Sequence, residues 1–332
     1  MKRLILATND TGAGSLSQAG LADFVIGFGP RFVWGPLASQ AELATFLEAR
    51  SPKHDLVGAH WLDYVDRRLF LDATLGDLGL VEFCERFDAI ELWADPRPND
   101  QLTLVWLLDC LRPHEKIVSR LSLVQTDGLI SGHPPESIAE WKLQASRISD
   151  DHLRVSSMTW VAYRASTPEG CFDLLSTDLT RLPQLRPAIV ALLEELPERA
   201  TGLGATEMRM LELVSDGYMN PIALFPHHPH QQRKVFDFFE AGLVLDRLGH
   251  CPEPALSGLG EGPFPWEVDN LRARHERYVR SKLSLTRFGE AILNHTEDFS
   301  RHNPIHRWWG GTELTNDRLW RWDPESRVLI TP

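Results

Sequence analysis

Along the first third of the chain, short unbroken apolar runs alternate with segments whose apolar residues recur at helical spacing. Lys2–Thr8 is such a run and predicts a strand. Phe24–Phe28 and Phe32–Trp34 predict two more, turned by Gly29-Pro30, and "AIELWAD" and "RLSLVQT" predict strands over 89–95 and 120–126. Between them, Ser15–Ala22 reads as a short helix. Ser39–Arg50 reads as a longer one, opened by a Ser39/Glu42 capping box. Further helices are predicted over Leu56–Leu71 and Gly79–Arg86, and in "NDQLTLVWLLDCL", where Leu102, Val105, Trp106, Leu108 and Leu111 line up. This alternation predicts an α/β N-terminal domain with a mostly parallel sheet over residues 1–133.

The pattern then changes. Residues 134–199 read as a helical linker segment, divided by Pro168, Pro183 and Pro197. From 200 to 332, "ATEMRMLELVSDG" predicts a helix closing at Gly217. A short helix, a turn and a second helix ending at Gly242 follow, then a strand and helix in "LSLTRFGEAILNH". "LWRWDPESRVLIT" predicts a terminal hairpin turned at Asp323-Pro324. That order predicts a winged-helix-like α+β domain. Trp320 and Trp322, two apart in the hairpin, share a face and are expected to pack inward.

Composition narrows the classes. The chain has 332 residues, 43% hydrophobic and 24% charged, as for ordinary globular domains. No run approaches the roughly 20 apolar residues that cross a bilayer. Met1-Lys2-Arg3 is followed by too few apolar residues for a signal peptide, so the expectation is a cytoplasmic protein without membrane contact. Four scattered cysteines form no C-x-x-C pair and predict neither a zinc ribbon nor a disulfide framework. A net charge of −12 argues against a broad nucleic-acid surface.

Two loops carry the candidate chemistry. Asn9, Asp10, Thr11 and Ser15 lie where the first strand gives way to a helix, with Gly12 and Gly14 between them. This turn is either an anion-holding loop or a structural connection capped by Asn9 or Asp10. It matches neither G-x-G-x-x-G nor the Walker pattern, and Asp10 would repel a phosphate without an intervening cation or donor. The second loop, "ELWADPRPNDQL", brings Asp95, Arg97, Asn99, Asp100 and Gln101 to the end of another strand. Asp95 and Asp100 are candidate catalytic acid/base groups or ligands of a divalent cation, and Arg97 a candidate anion contact. Asp100 is equally well placed to cap the following helix. If both loops lie at one sheet edge, they face one crevice. In "FPHHPHQQRK", His227, His228 and His230 form either an exposed turn or an incomplete metal site. Gln231, Gln232, Arg233 and Lys234 would open a recognition helix, although the surrounding sequence is acid-rich.

"TNDTGAGSL…AG", "VWGPL", "LW" with "DQL" seven residues after Trp93, and "IHRWWGGTEL…LWRWD" occur in an order that resembles the bacterial domain-of-unknown-function family 1835 with its usual C-terminal companion domain. The resemblance spans essentially the whole chain and implies a cytosolic bacterial protein without an established activity. The family commonly shows Asn-Gly-Asp where this chain has Asn9-Asp10-Thr11. It often has acidic and histidine residues where Asp95-Pro96-Arg97 stand, and an aspartate at His306. Asp100 and Gln101 match best. Two functions are therefore expected as alternatives. One is an enzyme or binder acting on a nucleotide or phosphorylated small molecule at the N-terminal sheet edge. The other is a ligand-sensing regulator whose winged helix contacts DNA or a protein partner.

Overall fold

A computed structural model of the chain describes residues 2–54, 60–64, 78–141, 143–225, 233–260 and 276–332. These residues form two compact units. The first comprises Met1–Phe32, Leu37–Arg164 and Asp173–Ala188; the second comprises Val33–Pro36, Ala165–Phe172 and Ile189–Pro332.

The first unit is an α/β layer. Strands β1 (Arg3–Ala7), β2 (Phe24–Gly27), β3 (Ala89–Ala94) and β4 (Leu121–Gln125) run parallel, and β5 (Ser146–Arg147) closes one edge antiparallel, in the order β2-β1-β3-β4-β5. Helices α1 (Asp10–Gln18), α2 (Gln40–Leu47), α3 (Leu80–Cys84), α4 (Pro98–Leu111), α5 (Glu115–Val118), α6 (Pro135–Ala139) and α7 (Asp150–Tyr163) connect and flank these strands. Leu4, Ile5 and Leu6 are buried in succession, as expected of a strand covered on both faces. Ile5, Ala7, Val25 and Val124 pack with Ala13 and Leu16 of α1 and Ile138 of α6. Trp106 of α4 meets Phe28 and Phe32 edge-on, and Phe32 in turn meets Trp160 of α7.

The chain winds from β1 outward to β2, then returns to lay β3 on the other side of β1. The winding direction reverses between β1 and β3. In open α/β sheets the crevice beyond the carboxyl ends of two such strands is the usual ligand position. Asn9 follows β1 and Asp95 follows β3, so both emerge there.

Several local expectations are corrected. Helix α1 starts at Asp10, five residues before the predicted Ser15. Gly12 and Gly14 are helical residues, and neither has a positive φ. Phe32–Trp34 is bent rather than extended. The stretch from 134 is not wholly helical, because β5 pairs with β4 through Ser122 and Leu123. Its helices fall in both units, the chain passing between them within Glu169–Leu174 and Leu185–Glu194. The helix expected over Leu56–Leu71 lies mostly outside the described residues, apart from a short turn at Trp61–Tyr64. The Ser39/Glu42 capping box is present as read.

The second unit is α+β. With α8 at Glu169–Leu174 and α9 at Leu185–Glu194, it continues through α10 (Ala205–Ser215), α11 (Pro221–Leu224) and α12 (Phe238–Gly249) to an antiparallel pair, β6 (Leu256–Ser257) and β7 (Ser284–Leu285). Gly217, at φ +96°, ends α10: its N–H donates to the Val214 carbonyl at 3.1 Å and that of Tyr218 to Leu213 at 3.0 Å. Leu211, Val214, Val244, Leu245, Leu248 and Leu256 form the core of this unit. Helix α12 runs to Gly249 instead of Gly242, and begins after Arg233 and Lys234, so neither stands on it. The histidines 227, 228 and 230, with Gln231 and Gln232, lie outside the described residues. The terminal hairpin forms between Arg321–Asp323 and Val328–Ile330, with Trp320 and Trp322 buried.

Candidate functional site

The site begins with one asparagine. Asn9 is the N-cap of α1: its Oδ1 accepts the Gly12 N–H at 2.6 Å. That bond fixes which way the amide points. Its Nδ2 then faces the second loop, donating to Asp95 Oδ2 at 3.1 Å and to Asp100 Oδ1 at 3.2 Å. Two carboxyl groups, one at the end of β3 and one in the first turn of α4, thus meet at a single amide nitrogen.

Asp95 is 1% exposed and Asp100 4%. The other oxygen of Asp95 accepts the Ile130 N–H at 3.0 Å and faces Thr126 Oγ1 at 3.4 Å. Gln101, wholly buried, donates from Nε2 to the Asp95 carbonyl at 2.7 Å, while its Oε1 has no hydrogen-bond partner among the described residues. Arg97 occupies the N-cap position of α4 and makes no side-chain cap; its Nε is buried without a hydrogen-bond partner among those residues. Asp100 does not cap α4 either. It is the third residue of the helix, in its first turn, and faces Asn9, which corrects the capping reading.

The electrostatics separate the two acids. Burial pushes the Asp100 carboxyl well above the usual carboxylate range, and the neighbouring Asp95 charge pushes it further. Arg97, the Asn9 hydrogen bond and Arg31 act in the opposite direction. Asp95 is also raised by burial, but the Ile130 N–H, Asn9, Arg97 and Thr126 all support its charge. Both acids are thus shifted toward the protonated form, Asp100 the more strongly, while more of the groups around Asp95 support its charge. A pair of this kind titrates as a unit and holds an acid beside a base.

Of the residues singled out from the sequence, Asn9, Asp95, Asp100 and Gln101 come together, with Arg97 beside the acids. Asp10 and Thr11 do not join them. Both are exposed, and Asp10 Oδ1 accepts the Thr11 N–H at 2.7 Å. Ser15 Oγ turns to the Thr11 carbonyl at 3.4 Å. The Thr11 and Gly12 N–H groups in the first turn of α1 are thus taken by Asp10 and Asn9, and the opening turn is a helix start capped by Asn9. The position between the two carboxylates, where a cation would sit, is filled by an N–H₂ group. Among the described residues no group of three or more His, Cys, Asp or Glu side chains is placed to hold a metal ion.

Thr126 was not legible as a site residue. It stands at the carboxyl end of β4, next to β3, and the strand-end rule for parallel sheets is the signal that could have found it. Arg31, which follows β2, and a role for Asn99 were likewise missed. Asn99, buried in the first turn of α4, accepts the Phe32 N–H at 2.9 Å and donates to the Pro30 carbonyl at 3.0 Å. No protein-family model matches the chain, and no curated protein matches it.

Proposed function

We propose that the first unit binds a small anionic molecule, a nucleotide or phosphorylated metabolite, in the crevice beyond β1 and β3, with Asp95 and Asp100 as its acid/base pair. The observation that carries this reading is the meeting of two buried carboxyl groups, Asp95 and Asp100, at one Asn9 amide nitrogen where the sheet reverses its winding. Asp95 would accept a proton from the ligand and Asp100 would donate one, while Arg97 meets the anionic group. Access is from the side of Asn9 and Arg97, the half-buried members of the set.

The test is thermal denaturation of the full chain with a panel of nucleotides and sugar phosphates. The reading expects at least one compound to raise the Tm by several degrees, an effect absent in Asp95→Asn and Asp100→Asn. Should no compound act, or should the shift survive both substitutions, the pair is a structural clasp between strand ends.

A second reading rests on the element order α10, α11, α12, β6, β7, which is that of a winged helix. Its third helix favours a protein partner over DNA. Phe239 is exposed on it, Arg247 lies over the Trp34 ring at 4.8 Å, and Lys234 Nζ is held by the Phe225 carbonyl at 3.0 Å. No row of lysines and arginines runs along its described surface to meet phosphates.

A further inference from the structure

Two buried histidines close the end of α2. The last carbonyls of a helix lack partners within it and are met by other groups. The Thr45 carbonyl accepts from His54 Nε2 at 2.7 Å, and the Glu48 carbonyl, one residue past the helix, accepts from His60 Nε2 at 2.9 Å. His54 is 5% exposed and His60 0%, and their rings meet edge-on with centroids 4.7 Å apart.

A ring nitrogen that faces a carbonyl donates, so His60 carries its hydrogen on Nε2. Its other nitrogen is fixed as an acceptor. Nδ1 takes the Leu62 N–H at 3.2 Å and faces an Arg50 guanidinium nitrogen at 3.4 Å, and neither of those groups can accept. The His60 N–H donates in turn to Asp63 Oδ2 at 3.1 Å, and Asp63 pairs with Arg50. The turn Trp61–Tyr64 is thus tied to the end of α2 through one neutral ring. Trp61, wholly buried, meets Phe83 of α3 with ring centroids 5.2 Å apart.

We infer that His60 is an acid-released latch: its neutral imidazole holds the Trp61–Tyr64 turn to the end of α2, and a proton on Nδ1 breaks that hold. The protonated ring would direct an N–H at two N–H donors, in a buried position beside a second imidazole and a guanidinium. The buried Leu62 N–H would then lose its acceptor, and an unpaired buried donor is more costly than the bond was favourable. Among the described residues the charged and titratable groups that face the ring are Arg50, His54 and Asp63. Burial pushes the His60 imidazole below its ordinary value, Arg50 and His54 push it the same way, and the Glu48 carbonyl and Asp63 act in the opposite direction. A group whose folded value lies below its unfolded one contributes stability that is full above the unfolded value and is lost as pH falls through the folded value. The Asp95–Asp100 pair slopes the other way, so the latch is read with a probe local to the turn. It stands independently of the small-molecule reading.

The test is hydrogen exchange of the full chain, followed by mass spectrometry at about pH 7.5 and about pH 5 and corrected for the intrinsic exchange rates. In the peptide that carries Leu62, protection should be roughly tenfold or more lower at the acid pH, while a peptide from β3 keeps its protection. His60→Asn offers an oxygen near the place of Nδ1, and His60→Gln an N–H₂ near the place of Nε2; neither takes up a proton. Both should lose the acid step, and His54→Gln should retain it. In carbon-13 histidine spectra of the parent, the His60 ring should titrate below the ordinary imidazole range and in step with the loss of protection. The latch is refuted if the Leu62 peptide is equally protected at both pH values, if the step survives in His60→Asn or His60→Gln, or if only His54→Gln removes it. Should neither His60 variant fold, the parent decides: ring titration and loss of protection at one pH support the latch, and their separation refutes it.

Discussion

Asn9 is held in one orientation by its cap on α1, and that orientation gives the acid pair its shared donor. The pair makes stability depend on pH with a definite sign. Folding raises the Asp100 carboxyl well above its unfolded value, so the folded state favours the protonated form. Its contribution is full at acid pH and is lost as pH rises from the ordinary carboxylate range through the raised folded value. Asp95 is shifted the same way and adds to the slope. Asp100→Asn keeps an acceptor for Asn9 and removes the charge. Melting temperatures taken from about pH 5 to about pH 8 should therefore fall less steeply in this variant than in the parent, with no loss at neutral pH. An unchanged slope would mean that Asp100 is not held protonated.

At the scale of elements, the start of α1 depends on how closely it approaches β2. A Cβ built on Gly27 would lie 2.7 Å from Asp10 Cα, 2.9 Å from Ala13 Cβ and 2.9 Å from the Asn9 carbonyl oxygen. Only glycine at the end of β2 lets the first turn of α1 lie against it. Gly27→Ala should destabilise the chain by about 1–3 kcal/mol, measured by denaturant unfolding, and should also weaken any ligand response by displacing Asn9. Gly12 has a related reason: a Cβ there would come within 3.0 Å of Asn9 Oδ1, the atom that caps the helix. The "TGAG" run looks like a hinge because glycine is common in turns. Here it serves the packing and capping of a helix start, and no spacing rule distinguishes the two uses.

For the molecule as a whole, the charge of −12 sets the balance of partners. With Arg247 stacked on Trp34 and Lys234 tied to Phe225, the second unit is not expected to retain duplex DNA. A filter-binding series at falling salt should show no steep salt dependence; a slope corresponding to several phosphate contacts would overturn this. The parallel strands β1, β3 and β4 of the first unit were legible within a residue or two, as was the capping box at Ser39. Buried parallel strands leave unbroken apolar runs, and those are visible in one dimension. Strand β5 was not visible, because two exposed residues, Ser146 and Arg147, carry no such run and are ordered only by pairing with β4.

Taken alone, the sequence determined the α/β class of the first unit, the two loops worth attention and the acidic character of the whole. Tertiary structure decided which loop residues meet. Asn9 and Asp10 are equal candidates on paper, yet the cap bond to Gly12 turns Asn9 inward to the acids, while Asp10 stays with Thr11 at the surface. Asp100 reads as a helix cap until the fold sets Asn9 beside it. Pro30 and Phe32 stand far from Asn99 along the chain, yet its side chain holds the backbone of both. The reason is physical: periodicity reports which face of an element is buried, whereas a site is made by side chains from different strand ends, and the order of strands in the sheet determines which ends are neighbours.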